Sequence, residues 1–375
     1  MYLRRVCRLA SVGRVSRRSL DSSRGMRHRV LGGDEELQVD ESESVLASAT
    51  PLDPGAPVNL AGLIREKIER RESFCSYELF PTKCHGVYQR RRARRRDACR
   101  HCNQINSDKI AKRFFRDTQI CEPLFYALTW HEGWATEEER FPSLKSAEDF
   151  PRNTLLHCTA KGLKKPDAEM ILTRALELGI ANIFALQGDS GSDDGDFDHA
   201  SDLVKFIRER YGQQFSICVA GYPEMHPHSP SKELDLFYLK AKVDAGADFI
   251  LTQFFFESQL FIKFINDCRE VGISVPIIPG IYPFTDVKLL RKMIEICHTN
   301  IPDWIQEELR HIEDDDEAVR KFGIDLSVKL IKEIRESGHF CGYHVYTLNR
   351  SFSAIEVHRQ LNTQHEIDQL VASNS

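Results

Sequence analysis

The sequence predicts an α/β fold, a (β/α)8 TIM barrel behind an N-terminal disordered extension. Three observations predict it. Eight apolar, strand-like runs recur after residue 58, and helical patterns separate them. The runs are continuous rather than alternating, as in parallel strands covered on both faces. Eight strand–helix units in about 300 residues suit a barrel. The rival is a doubly wound open sheet, which usually has fewer strands and a Gly-rich phosphate turn after the first. Glu78-Leu-Phe-Pro-Thr82 has no such turn.

Composition narrows the function classes. At 375 residues and 41% hydrophobic content, the chain can bury a large core. Its formal net charge of −5 gives no general case for nucleic-acid binding. The longest apolar runs are about eight residues, too short to span a membrane. Eleven cysteines are an odd number, and Cys75, Cys158, Cys218, Cys268 and Cys297 lie in apolar segments. Reduced, buried thiols in an intracellular protein fit that better than a disulfide framework.

In chain order, residues 1–57 read as disordered, with an acidic patch at Asp34–Glu43 and a Pro/Gly stretch at Pro51–Pro57. Six arginines and three serines precede the first acid, Asp21. That is the composition of a mitochondrial transit peptide, against the plainer reading of a basic tail. A secretory signal is excluded because no apolar core of the necessary length is present. The expected location is the cytoplasm, with the mitochondrion as the alternative.

The folded domain is expected over 58–362, with a linker or tail at 363–375. It opens with a helix over Asn59–Arg71, whose Leu60, Leu63, Ile64 and Ile68 share one face. The strand-like runs are Phe74–Phe80, Leu124–Trp130, Thr154–Thr159, Asn182–Leu186, Ser216–Tyr222, Phe249–Phe255, Val275–Tyr282 and Gly342–Leu348. Helices are expected at Asp108–Phe115, Ser143–Phe150, Asp167–Leu178, Ala200–Arg210, Glu233–Ala245, Ser258–Val271 and Val287–His298. Further helix follows to Glu336, and a last one begins near Ser353. An insertion at about 84–104 breaks the rhythm with an arginine run, six residues at 90–92 and 94–96, then Arg100 and a Cys99-x-x-Cys102 pair. Cys84, His85, Cys99 and Cys102 make four ligands, but their spacing matches no common zinc site. No aromatics interleave for base stacking. The segment is therefore read as a solvated, flexible insertion, and neither a metal nor a nucleic-acid partner is expected.

The central run is Asn182–Asp189, an apolar strand that stops at Gly188 and a carboxylate. In a barrel, the strand C-termini carry the active site. Glu78, Thr129-Trp130-His131, His157, Gln187-Gly188-Asp189, Tyr222 with His226, Gln253, Tyr282, and Tyr346 with Asn349 and Arg350 occupy those ends. So many polar and titratable groups at one mouth argue for a pocket. The acids Asp193, Asp194, Asp196 and Asp198 after Ser190 argue against a phosphate-cradling loop at that point. A Gly-Asp-Ser-Gly protease loop belongs to an all-β framework.

At these residues the sequence resembles the catalytic domain of methylenetetrahydrofolate reductase, over about Phe74 to Leu361. The specific blocks are Ile217-Cys-Val-Ala-Gly-Tyr-Pro-Glu-Met-His-Pro227, Ala245-Gly-Ala-Asp-Phe-Ile-Leu-Thr-Gln-Phe-Phe-Phe256, Pro276-Ile-Ile-Pro-Gly-Ile281 and Tyr346-Thr-Leu-Asn-Arg350. The resemblance implies an FAD-containing barrel, an oxidoreductase acting on CH–NH groups. It implies reduction of 5,10-methylenetetrahydrofolate to 5-methyltetrahydrofolate by NADPH or NADH. It further implies a homo-oligomer, read as a dimer. Glu78 looks like the general acid, which needs a pKa raised by an apolar site. Asp189 looks like the carboxylate near flavin and pterin. Gln253 would read the pterin, and Tyr346 and Arg350 would hold the p-aminobenzoyl-glutamate end. The implied FAD set is Thr129, Trp130, His157, Gln187, Gly188, Asp189, His199, Ala200, Tyr222, His226, Asp235 and Lys242. The last two lie two turns apart on one helix face.

Three positions depart from the family pattern. Gln187 stands where the family has arginine, which implies weaker FAD retention because charge-assisted hydrogen bonds are the stronger ones. His199 replaces a tyrosine. Leu79-Phe-Pro-Thr-Lys83 replaces Phe-Phe-Pro-Pro-Arg, next to the insertion. The alternative function is accordingly a catalytically weakened flavin- or folate-binding relative. The animal members' regulatory domain, which binds S-adenosylmethionine, would begin about where this chain ends, so a reductase without it is expected.

Overall fold

The computed structural model describes residues 57–81, 110–130, 141–188, 194–339 and 342–373. Eight strands close into a parallel barrel in sequence order: β1 (Cys75–Leu79), β2 (Phe125–Leu128), β3 (Thr154–Thr159), β4 (Asn182–Leu186), β5 (Ser216–Gly221), β6 (Phe249–Phe254), β7 (Ile277–Ile281) and β8 (Tyr343–Tyr346). Closure is by β1 on β8, with Ser76 opposite His344 and Glu78 opposite Tyr346. Almost every strand residue is buried. This is why the sequence runs are continuous: one face packs into the barrel, the other under the helices.

Alternate residues fill the interior. Phe125, Ala127, Leu155, Phe184, Cys218, Phe249, Leu251 and Ile278 form that inner core. The opposite faces pack under the helix ring, where α4 (Lys165–Glu177), α5 (Ala200–Tyr211), α6 (Lys232–Asp244) and α7 (Ser258–Glu270) bury one stripe each. A helix over 110–118 and α3 (Pro142–Ser146) follow β1 and β2. The stretch between β7 and β8 folds as α8 (Val287–Cys297), α9 (Asp303–Ile312) and α10 (Asp316–Glu336). The last helix, α11 (Ser351–Ser373), runs through most of the stretch expected to be a tail. The expected thiols at Cys75, Cys158, Cys218, Cys268 and Cys297 are buried, and burial pushes Cys75 up to about 12. The sequence expectations for residues 1–56, including the Arg/Ser-rich start, lie outside the described residues, as do Cys84, His85, Cys99 and Cys102.

The first helix, α1 (Leu60–Glu69), closes the N-terminal end of the barrel. Leu60 and Ile64 enter the inner core. The helix's first backbone N–H groups have no partner in their own helix and need outside acceptors. The barrel supplies two of them. Leu60 N donates to Asn182 Oδ1 at 3.0 Å, and Ala61 N to Ser216 Oγ at 3.1 Å. Ser216 Oγ in turn donates to Asn59 Oδ1 at 2.8 Å, and that oxygen caps the helix by accepting from Gly62 N. Asn182 and Ser216 begin β4 and β5, so the lower rim and the helix plug form one buried hydrogen-bonded unit. Asn182→Ala leaves the Leu60 N–H buried and unmatched, and should cost about 2 kcal/mol of unfolding free energy in urea. Ligand binding at the far end of β4 should be unaffected.

Candidate active site

Glu78 is a buried titratable group at the C-terminal mouth. It lies near the end of β1, 8% exposed, between β2 and β8. Burial pushes its pKa up to about 8, and the Thr129 hydroxyl pulls slightly the other way. One step further down the barrel, at the register of Ser76, His344 is fully buried and shares a 2.8 Å hydrogen bond with Ser76 Oγ. Burial first, then the neighbouring His157, pushes His344 down to about 3, so it is neutral at physiological pH and contributes no cation. Glu78 is therefore a protonated carboxylic acid at pH 7.

Two contacts from the far end of the chain hold the Glu78 backbone. Thr347 Oγ1 donates to the Glu78 carbonyl at 2.6 Å. Asn349 brackets Phe80: its Oδ1 accepts from Phe80 N at 2.8 Å, and its Nδ2 donates to Phe80 O at 3.2 Å. Leu348 and Asn349 both have left-handed backbone, with φ of 49° and 61°, and that turn brings the amide back over β1. Neither Thr347 nor Asn349 was given a role from the sequence. An asparagine just after a strand hints at a left-handed turn, but the contact across more than 260 residues leaves no local pattern.

Of the residues expected at the folate end, Tyr346 falls beside Glu78. Tyr346 sits opposite it across the β1–β8 ladder. The Tyr346 hydroxyl passes over β7 and donates to Thr252 O on β6 at 2.7 Å. Gly280 permits this, since a Cβ there would lie 2.2 Å from Thr252 O and 2.6 Å from the Tyr346 ring. A register shift between Leu251 and Phe254 interrupts the β6–β7 ladder at Gln253. The Gln253 Oε1 accepts from Phe254 N at 3.0 Å, which leaves the amide NH2 for a ligand. Arg350 Nη1 donates to Thr285 Oγ1 at 2.8 Å, so the guanidinium is oriented by a hydroxyl and no carboxylate is bonded to it in that contact.

The residues expected to hold a dinucleotide are spread around the mouth from the end of β2 to α6. Thr129 and Trp130 are buried after β2, with Trp130 against the Phe141 ring at 5.5 Å and Ser143 Oγ donating to Thr129 O. His157 is buried edge-on to Phe184. Beyond β5, the Tyr222 and His226 rings meet at 4.6 Å, and His226 N donates to Asp235 Oδ2 at 3.2 Å. Lys242 Nζ donates to Ala220 O at 2.7 Å; burial pushes it down to about 8, against the attraction of Asp235. At the ends of β3 and β4 a cleft of about 460 Å³ opens between Lys161, Gly162, Gln187, Gly195, Phe197, Asp198 and His199. Gln187 Nε2 donates to Asp198 O at 3.3 Å. Gly188 has φ of +89°, and a Cβ there would lie 3.0 Å from Thr159 Cβ, so the fold itself favours glycine at this position. His199 caps α5, which begins with the buried Ala200. Asp189 lies outside the described residues.

The model of one family, methylenetetrahydrofolate reductase, matches residues 103–362. The chain belongs to the methylenetetrahydrofolate reductase family. It is 39% identical over 252 residues to methylenetetrahydrofolate reductase (NADH) 1 of Zea mays, covering 63% of this chain and 42% of that one. It is 34% identical over 304 residues to methylenetetrahydrofolate reductase 2 of Schizosaccharomyces pombe, covering 76% of this chain and 44% of that one. The chain thus spans about two-fifths of the length of the curated relatives it matches. Among solved structures, an uncharacterized protein from Clostridium thermocellum, described as binding two copies of 5-methyl-5,6,7,8-tetrahydrofolic acid, superposes with a TM-score of 0.53. At 15% identity, covering 81% of this chain and 99% of that one, it supports the fold alone.

Within this reductase-family barrel, the buried acid has a thermodynamic signature of its own. A carboxyl whose folded pKa lies above its unfolded value keeps its proton in the folded state while the unfolded chain loses it. Stability therefore falls as pH rises from about 4.5 to about 8. Glu78→Gln should remove that slope. The variant should gain on the order of 4 kcal/mol relative to wild type between pH 4.5 and 8.5, read from urea unfolding at each pH. Parallel stability profiles for the two proteins would mean that Glu78 ionises normally.

Proposed function

We propose that the chain is a flavin-dependent reductase that converts 5,10-methylenetetrahydrofolate to 5-methyltetrahydrofolate with NADPH or NADH. The observation that carries the reading is Glu78, a neutral carboxylic acid at the mouth of a family barrel. The reaction needs an acid that still holds its proton near neutral pH, and the best catalytic pKa lies near the working pH.

The residues present fit FAD. One side of the mouth offers a cleft floored by close backbone packing, where a Cβ at Gly195 would lie 2.8 Å from Gly162 N. Further along the same side stand the His226–Asp235 pair and Lys242. When bound, FAD supplies the hydride carrier between the nicotinamide and the folate. The chain's own residues bind, align and protonate. Glu78 gives its proton to N10 as the bond from N10 to the one-carbon unit breaks. The carbon is left double-bonded to N5 as an iminium, and a hydride completes the methyl group. Gln253 presents its amide NH2 to the pterin, Tyr346 lines the floor beside Glu78, and Arg350 pairs with the glutamate carboxylate. Asp189, as the carboxylate near flavin and pterin, belongs to the same reading through the resemblance alone. A cytoplasmic homodimer belongs to it on the same footing.

The test uses the purified protein under anaerobic conditions. NADPH or NADH should bleach the bound flavin, and methylenetetrahydrofolate should then restore its colour. In Glu78→Gln the bleaching should persist, while reoxidation by the folate falls by about 10²–10⁴-fold. In wild type, reoxidation should slow as pH rises through about 8. Reoxidation of Glu78→Gln at the wild-type rate would remove Glu78 from the chemistry. Bleaching without any reoxidation in wild type would favour the weakened relative.

A further inference from the structure

The cleft at the ends of β3 and β4 has a chemistry that Gln187 does not explain. The β3–β4 ladder runs past both strands: Ala160 N donates to Leu186 O and Lys161 N to Gln187 O, each at 2.8 Å. Lys161 and Gln187 are therefore side by side at the rim, and both line the cleft. Gln187 brings a neutral amide, whose Nε2 is directed to Asp198 O. Lys161 is half-buried and brings a cation.

Of the nearby lysines, Lys164 reaches the loop before α5. Lys164 Nζ donates to Asp194 O and lies 3.4 Å from Asp196 Oδ1, and Lys165 N donates to Asp196 Oδ2 at 2.8 Å. These contacts tie the loop before α5 to the start of α4. Gly195 packing on Gly162 closes the floor. Among the described residues lining the cleft, Lys161 is the lysine or arginine and Asp198 the carboxylate. One cation beside one carboxylate and an amide suits a ligand that alternates anionic phosphate with hydroxyls, since the carboxylate can accept from hydroxyls while the ammonium meets the phosphate.

We propose that Lys161 is the residue that meets the diphosphate of the bound flavin dinucleotide, and that it carries the charge which neutral Gln187 lacks. The proposal rests on the flavin reading above and deepens it. Retention of FAD then depends on position 161 more than on position 187.

The test measures affinity of the apoprotein for FAD and for riboflavin by quenching of flavin fluorescence, at two salt concentrations. Lys161→Met should weaken FAD binding at least about tenfold and flatten its salt dependence, while leaving riboflavin affinity unchanged. Adding Gln187→Arg to Lys161→Met should restore FAD affinity, because the new guanidinium stands at the neighbouring rim position. Far-UV circular dichroism and the unfolding midpoint check that each variant is folded, and Lys161→Gln serves as a second neutral substitution. Wild-type affinity for FAD in both neutral variants overturns the proposal, whatever happens to NADPH. Equal weakening of FAD and riboflavin also overturns it, because the lysine would then be structural. If wild type itself binds no FAD, the flavin reading fails and the proposal with it.

Discussion

The desolvation of one carboxyl is the constraint around which this barrel is arranged. Water is kept from Glu78 by the packed ends of β1, β2 and β8, and the charged form loses its solvation there. Among the described residues, no cation offsets that loss. The adjacent histidine is driven neutral by the same burial, and the arginine of the mouth is turned to the Thr285 hydroxyl. The least costly state is the protonated acid. Holding it requires a rigid backbone, and the chain supplies this from its other end, through Thr347 on the Glu78 carbonyl and Asn349 on Phe80. Barrel closure and acid positioning are thus one interaction.

β4 shows how the two ends of the barrel divide stability and binding. Its first residue, Asn182, holds the helix that plugs the lower rim. Its last residues lead into Gln187 at the cleft. Burial of the middle, from Ile183 to Ala185, keeps the two ends in fixed register. The division is common to barrels, where the strand N-termini serve stability and the C-termini serve chemistry. In this family member the cleft beside Gln187 also contains Lys161, which separates the question of charge from the question of residue 187.

Much of this was legible in the residues, for physical reasons. Thr154–Thr159 and Asn182–Leu186 match β3 and β4 because both runs are bounded by turn residues and buried almost throughout. The run to Trp130 overshoots β2, since Trp130 leaves the ladder to pack on Phe141. The run to Leu348 overshoots β8 for a different reason: Leu348 is apolar yet sits in a left-handed turn, which composition cannot show. The helix expected to continue to Glu336 is two helices, separated before Asp315, which caps the second with its carboxylate. The polar strand ends were legible as a set. Their partners were not, because Thr252, Thr285, Thr347 and Asn349 act through hydrogen bonds between segments far apart in sequence. Gly188 was expected to admit a ligand, and its close approach to Thr159 shows a structural need as well.

The neutral state of Glu78 is the claim on which the rest depends, and carboxyl titration measures it directly. Protein labelled with 13C at the glutamate carboxyl, with Glu78→Gln to assign the signal, can be followed by NMR from pH 4 to 9. The account predicts one resonance that titrates near pH 8 and is absent from the variant. A Glu78 resonance titrating near pH 4.5, with the bulk of the glutamates, would contradict it.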